Sequence, residues 1–198
     1  MSAPEGSIRI VAVKGSVRPG NYTAMALDLV ADEFGKFPEV ELHVVDPAEL
    51  GLAPPGMGGD DAKAEELRSL VEGATGVVLS TPEYHGTFSS VAKLVIENLD
   101  FPSVLAGKPV ALLGVAAGQI GAIKSLEHLR SVCSHVGAIV LPGPVSVAGV
   151  QQAFDEGGGC LDERVEKRIR GLATGLLDYI HQTVCPRVAL EAMVRDPD

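Results

Sequence analysis

The chain has 198 residues, of which 46% are hydrophobic and 4% aromatic, and its formal net charge is −10. This length accommodates one domain with a sizeable core, and the aliphatic composition without tryptophan favours a parallel sheet covered on both faces. The negative charge argues against binding to nucleic acid or to an anionic membrane surface.

The three cysteines indicate a reducing compartment rather than a metal centre. Cys133, Cys160 and Cys185 match neither a metal-site spacing nor a CxxC pair, so we expect reduced thiols and no metal. No apolar run approaches the ~20 residues of a membrane span. Residues 1–7 lack the basic and apolar regions of a signal peptide. Together these features predict a cytoplasmic protein.

Apolar segments alternate with amphipathic segments along the chain. Strands are predicted at 8–13, 40–45, 77–79, 108–115 and 138–141. Helices are predicted at 27–34, 63–72, 88–99, 122–136 and 161–180. The segments 46–61 and 145–159 are predicted as loops, and 187–198 as a tail or an interface segment.

This alternation is typical of an α/β fold with a parallel sheet and helices on both faces. Five strands fit the flavodoxin-like order 2-1-3-4-5 better than a six-stranded dinucleotide fold. We therefore predict a single flavodoxin-like domain over 1–198, with its core at about 8–183 and a five-stranded parallel sheet.

The loop after the first strand has part of a nucleotide phosphate loop. Gly15 and Gly20 have the G-x4-G spacing, but Asn21 and Tyr22 follow where an NTPase has Lys and Ser/Thr. An NTPase is therefore disfavoured, and a G-x-G-x-x-G dinucleotide fingerprint is also missing from this loop.

The same loop carries donors for a single phosphate group. The helix N-terminus that follows attracts an anion. Ser16, Asn21 and Thr23 can donate hydrogen bonds, and Arg18 can bind two oxygens at once. The residues suit a phosphate monoester without metal. An ordinary tight turn, with Asn21 or Thr23 as helix cap, is the alternative.

A second loop is predicted after the buried strand 77–79. Pro82 cannot donate to a sheet ladder, so we expect the strand to end there. Glu83, Tyr84, His85 and Gly86 then precede a helix. In an open α/β sheet, ligands bind at this carboxyl end of the strands.

Together these loops resemble motifs of the NAD(P)H-dependent FMN reductase family. The sequence Gly-Ser-Val-Arg-Pro-Gly-Asn-Tyr-Thr at 15–23 is similar to the G-S-x-R-x-x-S-x-T/N phosphate loop. The sequence Thr-Pro-Glu-Tyr-His-Gly at 81–86 is similar to the T-P-E-Y-N-G/x flavin-ring loop. The turn before Gly121 resembles the third, glycine-rich flavin loop. With Lys93 and the segment 154–163, the likeness covers roughly 8–183.

The resemblance implies an FMN enzyme that transfers a hydride from NADPH or NADH to a free flavin, quinone, azo compound or metal oxyanion. It implies cofactor contacts from the phosphate loop, the flavin-ring loop and, near the ring, the third loop. These residues are Ser16, Arg18, Asn21, Tyr22, Thr23, Pro82, Glu83, Tyr84, His85, Gly86, Ala117, Gly118 and Gln119. No catalytic side chain and no metal ligand are expected, because the flavin carries the hydride chemistry.

The resemblance also implies a homodimer or homotetramer. The mean hydropathy of +0.23 fits a subunit interface, and a large core explains it equally well. The helix 88–99 and the loop 51–59 are the candidate interface. The sequence departs from the family pattern at Asn21, in place of serine, and at His85, in place of asparagine. Ala116-Ala117 stands where the family has more glycine. We interpret His85 as a flavin-loop donor, and Glu83 as acting through its backbone or pairing with a neighbouring positive group rather than as a catalytic carboxylate.

Two other classes of protein remain open at this point. One is a flavodoxin-like electron carrier that does not oxidise NAD(P)H itself. NADPH oxidation without a partner reductase discriminates against it. The other is a flavin-free α/β interaction protein, which would take up no FMN.

Overall fold

The computed structural model describes residues 8–195, with helices packed on both faces of one sheet. The strands are β1 (Ile8–Val13), β2 (Val40–Val45), β3 (Gly76–Tyr84), β4 (Thr87–Phe88), β5 (Pro109–Val115), β6 (Ile139–Val140) and β7 (Val145–Val147). The helices are α1 (Tyr22–Phe34), α2 (Asp61–Glu72), α3 (Ser90–Glu97), α4 (Ile123–His135), α5 (Val150–Ala153), α6 (Glu163–Tyr179) and α7 (Cys185–Arg195). The predictions made for residues 1–7 and 196–198 lie outside the described residues.

The sheet confirms the predicted flavodoxin-like order. Its strands run β2-β1-β3-β5-β6 and all of these neighbours are parallel. β7 also pairs with β5, beyond the end of β6, and β4 pairs antiparallel with β3. The sheet therefore has seven strands rather than five. Pro142 and Pro144 divide the edge strand into β6 and β7, because neither proline can donate to a ladder.

The predicted end of the third strand was wrong. β3 continues through Pro82 to Tyr84 instead of becoming a loop at Thr81. β1 pairs with β3 only as far as Leu79, whereas β5 stays paired up to Pro82. From Ser80 to Pro82, β3 is paired with β5 alone among the strands described. A proline without an N–H is tolerated at such an edge.

Two cores form, one on each face of the sheet. In β1, Ile10 and Ala12 join the cluster packed by α1 and α6. Val11 and Val13 join the opposite cluster, packed by α2, α3 and α4. This alternation follows from the two-residue period of a strand, and it confirms that both faces are covered.

The C-terminal helix changes its winding at Ile180–Val184, which forms a π-helical turn. The N–H of Cys185 donates to the carbonyl of Ile180 instead of to residue 181. Pro186 follows, and a proline would clash with the carbonyl four residues earlier in a regular helix. Part of the segment predicted as a tail, up to Arg195, is therefore the helix α7.

The three cysteines form no disulfide within the described chain. Cys133 lies in the core, and burial raises the pKa of its thiol to about 12. Among residues 8–195, we find no helix with the length and apolar character of a membrane span. The same residues contain no group of three or more His, Cys, Asp or Glu side chains placed to hold a metal ion.

Candidate functional site

A cleft of about 330 Å³ opens at the carboxyl ends of β1, β3 and β5. The strand order reverses at β1 and β3, which is the position where open α/β sheets bind ligands. The lining residues are Arg18, Pro19, Gly20, Asn21, Tyr22, Thr23, Pro82, Glu83, Tyr84, Val115, Ala116, Ala117, Val150 and Gln151.

Buried hydroxyl groups join the first loop to the end of β3. Ser80 Oγ donates to the carbonyl of Val13 at 2.7 Å and accepts from the N–H of Gly15 at 3.2 Å. Ser89 Oγ donates to the carbonyl of Gly15 at 2.6 Å. Thr81 Oγ1 accepts from the N–H of Ser89 at 3.0 Å. The two loops predicted to bind the cofactor are therefore held in one fixed arrangement.

Only glycine fits at the centre of this arrangement. A Cβ atom on Gly15 would lie 1.9 Å from the carbonyl oxygen of Ser80. That atom belongs to the backbone of a buried strand, so it cannot rotate away as a flexible side chain would. The first glycine of the phosphate-loop motif is thus required by contact with the neighbouring strand.

The side chain of Asn21 closes the first loop on α1. Its Nδ2 donates to the carbonyl of Arg18 at 2.6 Å, and its Oδ1 accepts from the N–H of Ala24 at 2.8 Å. Asn21 is thus the N-cap, as the tight-turn alternative expected. The N–H groups of Tyr22 and Thr23 lie in the first turn of α1, which has no earlier carbonyls to accept them. An anion in the cleft can accept from them.

Arg18 supplies the positive side chain of this end of the cleft. It is exposed, lines the cleft and forms no ion pair with any residue in the range 8–195. Ser16 is buried, and its Oγ accepts from the N–H of Arg18 at 3.4 Å. Arg18 is therefore available to an anion, whereas the Ser16 hydroxyl supports the loop.

A tight hairpin forms the opposite end of the site. Glu83 pairs with Phe88 and Tyr84 with Thr87, so His85 and Gly86 form a two-residue turn. Their φ angles are 51° and 77°, and two positive values define a type I′ turn. Asparagine before glycine is the most favourable pair in this turn, and histidine also tolerates positive φ better than most residues. His85 lies at the tip of the hairpin, outside the cleft lining.

Glu83 contacts a helix rather than an open space. Its Oε2 accepts from the backbone N–H of Ser125, in the first turn of α4, at 3.1 Å. Tyr84, the next residue, lines the cleft with 39% of its surface exposed. Glu83 thus bonds to a backbone N–H at the N-terminus of a helix, the positive end of its dipole, and not to a positively charged side chain.

The third predicted loop contributes only in part. Ala117 lines the cleft with Ala116, whereas Gly118 and Gln119 are exposed in a turn closed by the Gly121 N–H on the Gly118 carbonyl. Val150 and Gln151 of α5 line the cleft instead. Sequence reasoning missed them because 145–159 was predicted as a loop, and β7 and α5 are too short to show a period.

The structure thus brings most of the predicted residues to one cleft. Those that line it are Arg18, Asn21, Tyr22, Thr23, Pro82, Glu83, Tyr84 and Ala117. Those that do not are Ser16, His85, Gly86, Gly118 and Gln119.

The family model for NADPH-dependent FMN reductases matches residues 8–152, which include all these cleft residues. The chain belongs to this family. It is 28% identical to a NAD(P)H-dependent FMN reductase of Pseudomonas aeruginosa over 174 residues, covering 82% of the chain and 90% of that relative. It is 34% identical to a NADPH azoreductase of Bacillus sp. over 144 residues, covering 72% of the chain and 78% of that relative.

A solved structure has the same fold. The flavoenzyme NAD(P)H:(acceptor) oxidoreductase FerB of Paracoccus denitrificans superposes with a TM-score of 0.72 at 21% identity. The match covers 88% of this chain and 98% of that one. Family membership confirms the predicted class, an FMN-dependent oxidoreductase that uses NADPH or NADH.

The hairpin geometry predicts the effect of changing His85. We expect His85→Asn, the residue of the family pattern, to retain FMN affinity and to unfold at the same or higher urea concentration, because Asn adopts positive φ more readily. His85→Val should lower the free energy of unfolding by about 1 kcal/mol or more, because a β-branched residue is strained at this φ. Urea denaturation of the variants measures both effects. A His85→Asn protein that lost FMN would instead give the imidazole a direct role at the cofactor.

Proposed function

We propose that this cleft holds FMN and that the protein reduces small-molecule acceptors, such as azo compounds or quinones, with electrons from NADPH or NADH. One observation carries the assignment. An arginine without an ion pair within the described residues and a helix N-terminus occupy one end of the cleft, and the rest of its wall is mainly apolar, with Pro82, Val115 and Val150 beside the polar Glu83 and Gln151. These donors fit the FMN phosphate, and the apolar wall fits a planar ring.

Different residues would hold the phosphate, the ring and the backbone of the first loop. Arg18 and the N–H groups of Tyr22 and Thr23 would bind the phosphate. Pro82 and Tyr84 would line the ring. Ser16 and Asn21, whose side chains bond to the loop backbone, would act by keeping the first loop in shape.

FMN, when bound, supplies the chemistry by accepting a hydride from the nucleotide and passing electrons to the acceptor. The side chains of the cleft would bind and orient FMN and exclude water from it. Glu83 is the carboxylate that lines the cleft, and its Oε2 already accepts from Ser125. No side chain is therefore proposed as a general acid or base for hydride transfer. The cytoplasmic location predicted from the sequence is part of the same proposal.

Steady-state kinetics test this function directly. We expect the purified protein, loaded with FMN, to oxidise NADPH or NADH without any partner reductase, and both substrates to use the same cleft in turn. Initial rates measured over a matrix of NADPH and quinone concentrations should give parallel double-reciprocal lines. Intersecting lines would rule out the shared cleft. No NAD(P)H oxidation at all would favour the electron-carrier alternative.

Arg18 should dominate recognition of the phosphate. A hydrogen bond to a charged group contributes about 1.5–3 kcal/mol, so Arg18→Ala should weaken FMN binding roughly 10- to 100-fold. Riboflavin lacks the phosphate and should bind equally to both proteins. Titration of the apoprotein, followed by flavin fluorescence, measures both affinities. Arg164→Ala is the matched control, since Arg164 is an exposed arginine outside the cleft lining. An unchanged FMN affinity in Arg18→Ala would refute the assignment.

The protein is proposed to be a homodimer or homotetramer. Phe101 and Met57 are 89% and 68% exposed, and Phe101 borders a groove lined partly by Pro55, Ile96 and Val132. This surface includes part of α3 and of the loop 51–59, the interface candidates of the sequence analysis. Light scattering should give two or four times the 20.6 kDa of one chain. Phe101→Glu should shift that mass towards one chain. A wild-type mass of one chain at micromolar concentration would contradict the proposal.

A further inference from the structure

The first turn of α4 has no cap of its own. Its N-cap residue, Ala122, is buried and has no side-chain oxygen. The helices α1, α2, α3 and α6 are each capped by their own residue, namely Asn21, Asp60, Ser89 and Asp162. The N–H groups of a first turn need an acceptor from elsewhere when the N-cap offers none. In α4 the N–H of Ser125 finds one in Glu83, which lies 42 residues earlier in the chain.

The hairpin 83–88 lies along the first two turns of α4. One turn after Ser125, His128 Nδ1 is 3.0 Å from Thr87 Oγ1. The stem of Lys124 passes beside the turn of the hairpin, since a Cβ on Gly86 would lie 3.7 Å from its Cδ. The hairpin is therefore supported along its length by one helix. Glu83 makes the contact nearest to the cleft.

The bond from Glu83 joins the cleft wall to this helix. Pro82 and Tyr84, the residues on either side of Glu83, both line the cleft. Beyond Leu79, β3 has lost its β1 neighbour; Ser80 and Thr81 are held by buried hydroxyl bonds, and the residues that follow are held by β5, by β4 and by this carboxylate. A carboxylate at a helix N-terminus is favoured by the helix dipole, and its hydrogen bond is charge-assisted.

We propose that Glu83 is a positioning residue, whose carboxylate clamps the hairpin to the N-terminus of α4 and so fixes Pro82 and Tyr84 at the wall of the cleft. This inference rests on the proposed binding of FMN. It assigns to Glu83 neither proton transfer nor contact with the phosphate. It predicts that loss of the carboxylate disturbs the ring end of the cleft and leaves the phosphate end intact.

Flavin titrations of three variants test the clamp. Glu83→Ala should weaken the binding of FMN and of riboflavin by the same factor, about 10-fold, because the wall that contacts both flavins has moved. This differs from Arg18→Ala, which should affect FMN alone. Glu83→Gln keeps an oxygen that can accept from the N–H of Ser125, so its loss of flavin affinity should be smaller, about threefold. Some affinity is still lost because the hydrogen bond is no longer charge-assisted. Glu127→Ala removes an exposed carboxylate of α4 that forms no ion pair with any of residues 8–195, and this variant should bind both flavins as the wild type does.

Amide hydrogen exchange of Ser125 reports on the same bond without any flavin. In the apoprotein, we expect exchange at Ser125 to be faster in Glu83→Ala and to stay close to the wild type in Glu83→Gln. Exchange elsewhere in α4, at Leu129 for example, should change much less. This measurement separates the clamp from global loss of stability.

The outcomes distinguish the clamp from the proposed function. Wild-type flavin affinities in Glu83→Ala, or a Glu83→Gln protein as impaired as Glu83→Ala, would overturn the positioning role. If Glu83→Ala does not fold, Glu83→Gln decides: a loss of about threefold in the affinity for both flavins supports the clamp, whereas an unchanged affinity or a tenfold loss refutes it. If the wild type takes up no flavin, the proposed function fails, and the exchange of Ser125 alone decides whether Glu83 holds the hairpin.

Discussion

The contact between Gly15 and the backbone of Ser80 sets the geometry of the whole cleft. A Cβ on Gly15 would stand 1.9 Å from the Ser80 carbonyl oxygen, so the first loop touches β3 as closely as a backbone can. Ser80 Oγ accepts from the N–H of this glycine, and Ser89 Oγ donates to its carbonyl. Both hydrogen bonds are buried. Each such bond contributes only about 1 kcal/mol net, but leaving one unmade in the interior costs about 1–3 kcal/mol. The close contact of the first loop with β3 is therefore maintained mainly by the free-energy cost of leaving these buried groups without hydrogen bonds.

This fixed contact holds the proposed anion site in place within a strongly acidic chain. The net charge of −10 is spread over the molecule, whereas Arg18 and the first turn of α1 lie at the cleft itself. At 0.15 M salt the screening length is about 8 Å, so distant carboxylates contribute little to the potential at the phosphate end. Net charge acts mainly on how fast an anion approaches. In the proposed site, the affinity for the anion would depend on the local donors, which Gly15 and Asn21 hold in place.

The sequence predicts those parts of the fold that repeat with a regular period. β1, β2 and the helices α1, α2, α4 and α6 could be located because their apolar residues recur over six residues or more. The order of the strands followed from the alternation of strands with helices. β7 and α5 could not be located, because three or four residues show no period. The end of β3 was misplaced because the rule that proline stops a strand holds only where neighbours lie on both sides, and the pairing of β3 with β1 ends at Leu79.

The candidate site shows the same division between local and distant causes. Local chemistry explains Asn21 as a cap and His85-Gly86 as a turn, and both can be argued from residue type. The bond between Glu83 and Ser125 spans 42 residues and depends on an alanine standing at the N-cap of α4. No pattern within 81–86 indicates it.

The flavin-ring motif therefore combines residues with different physical tasks. Pro82 and Tyr84 line the cleft, Thr81 and Glu83 bond to neighbouring elements, and His85-Gly86 turn the chain back. Two of its side chains, those of Thr81 and Glu83, thus form hydrogen bonds within the protein. The effect of having His85 where the family pattern has asparagine then depends on the positive φ angle that this residue must adopt. The effect of a substitution at Glu83 depends on α4, whose first turn would lose the carboxylate that accepts from Ser125. Resemblance to a motif locates the site, but the contacts of each residue determine what that residue does there.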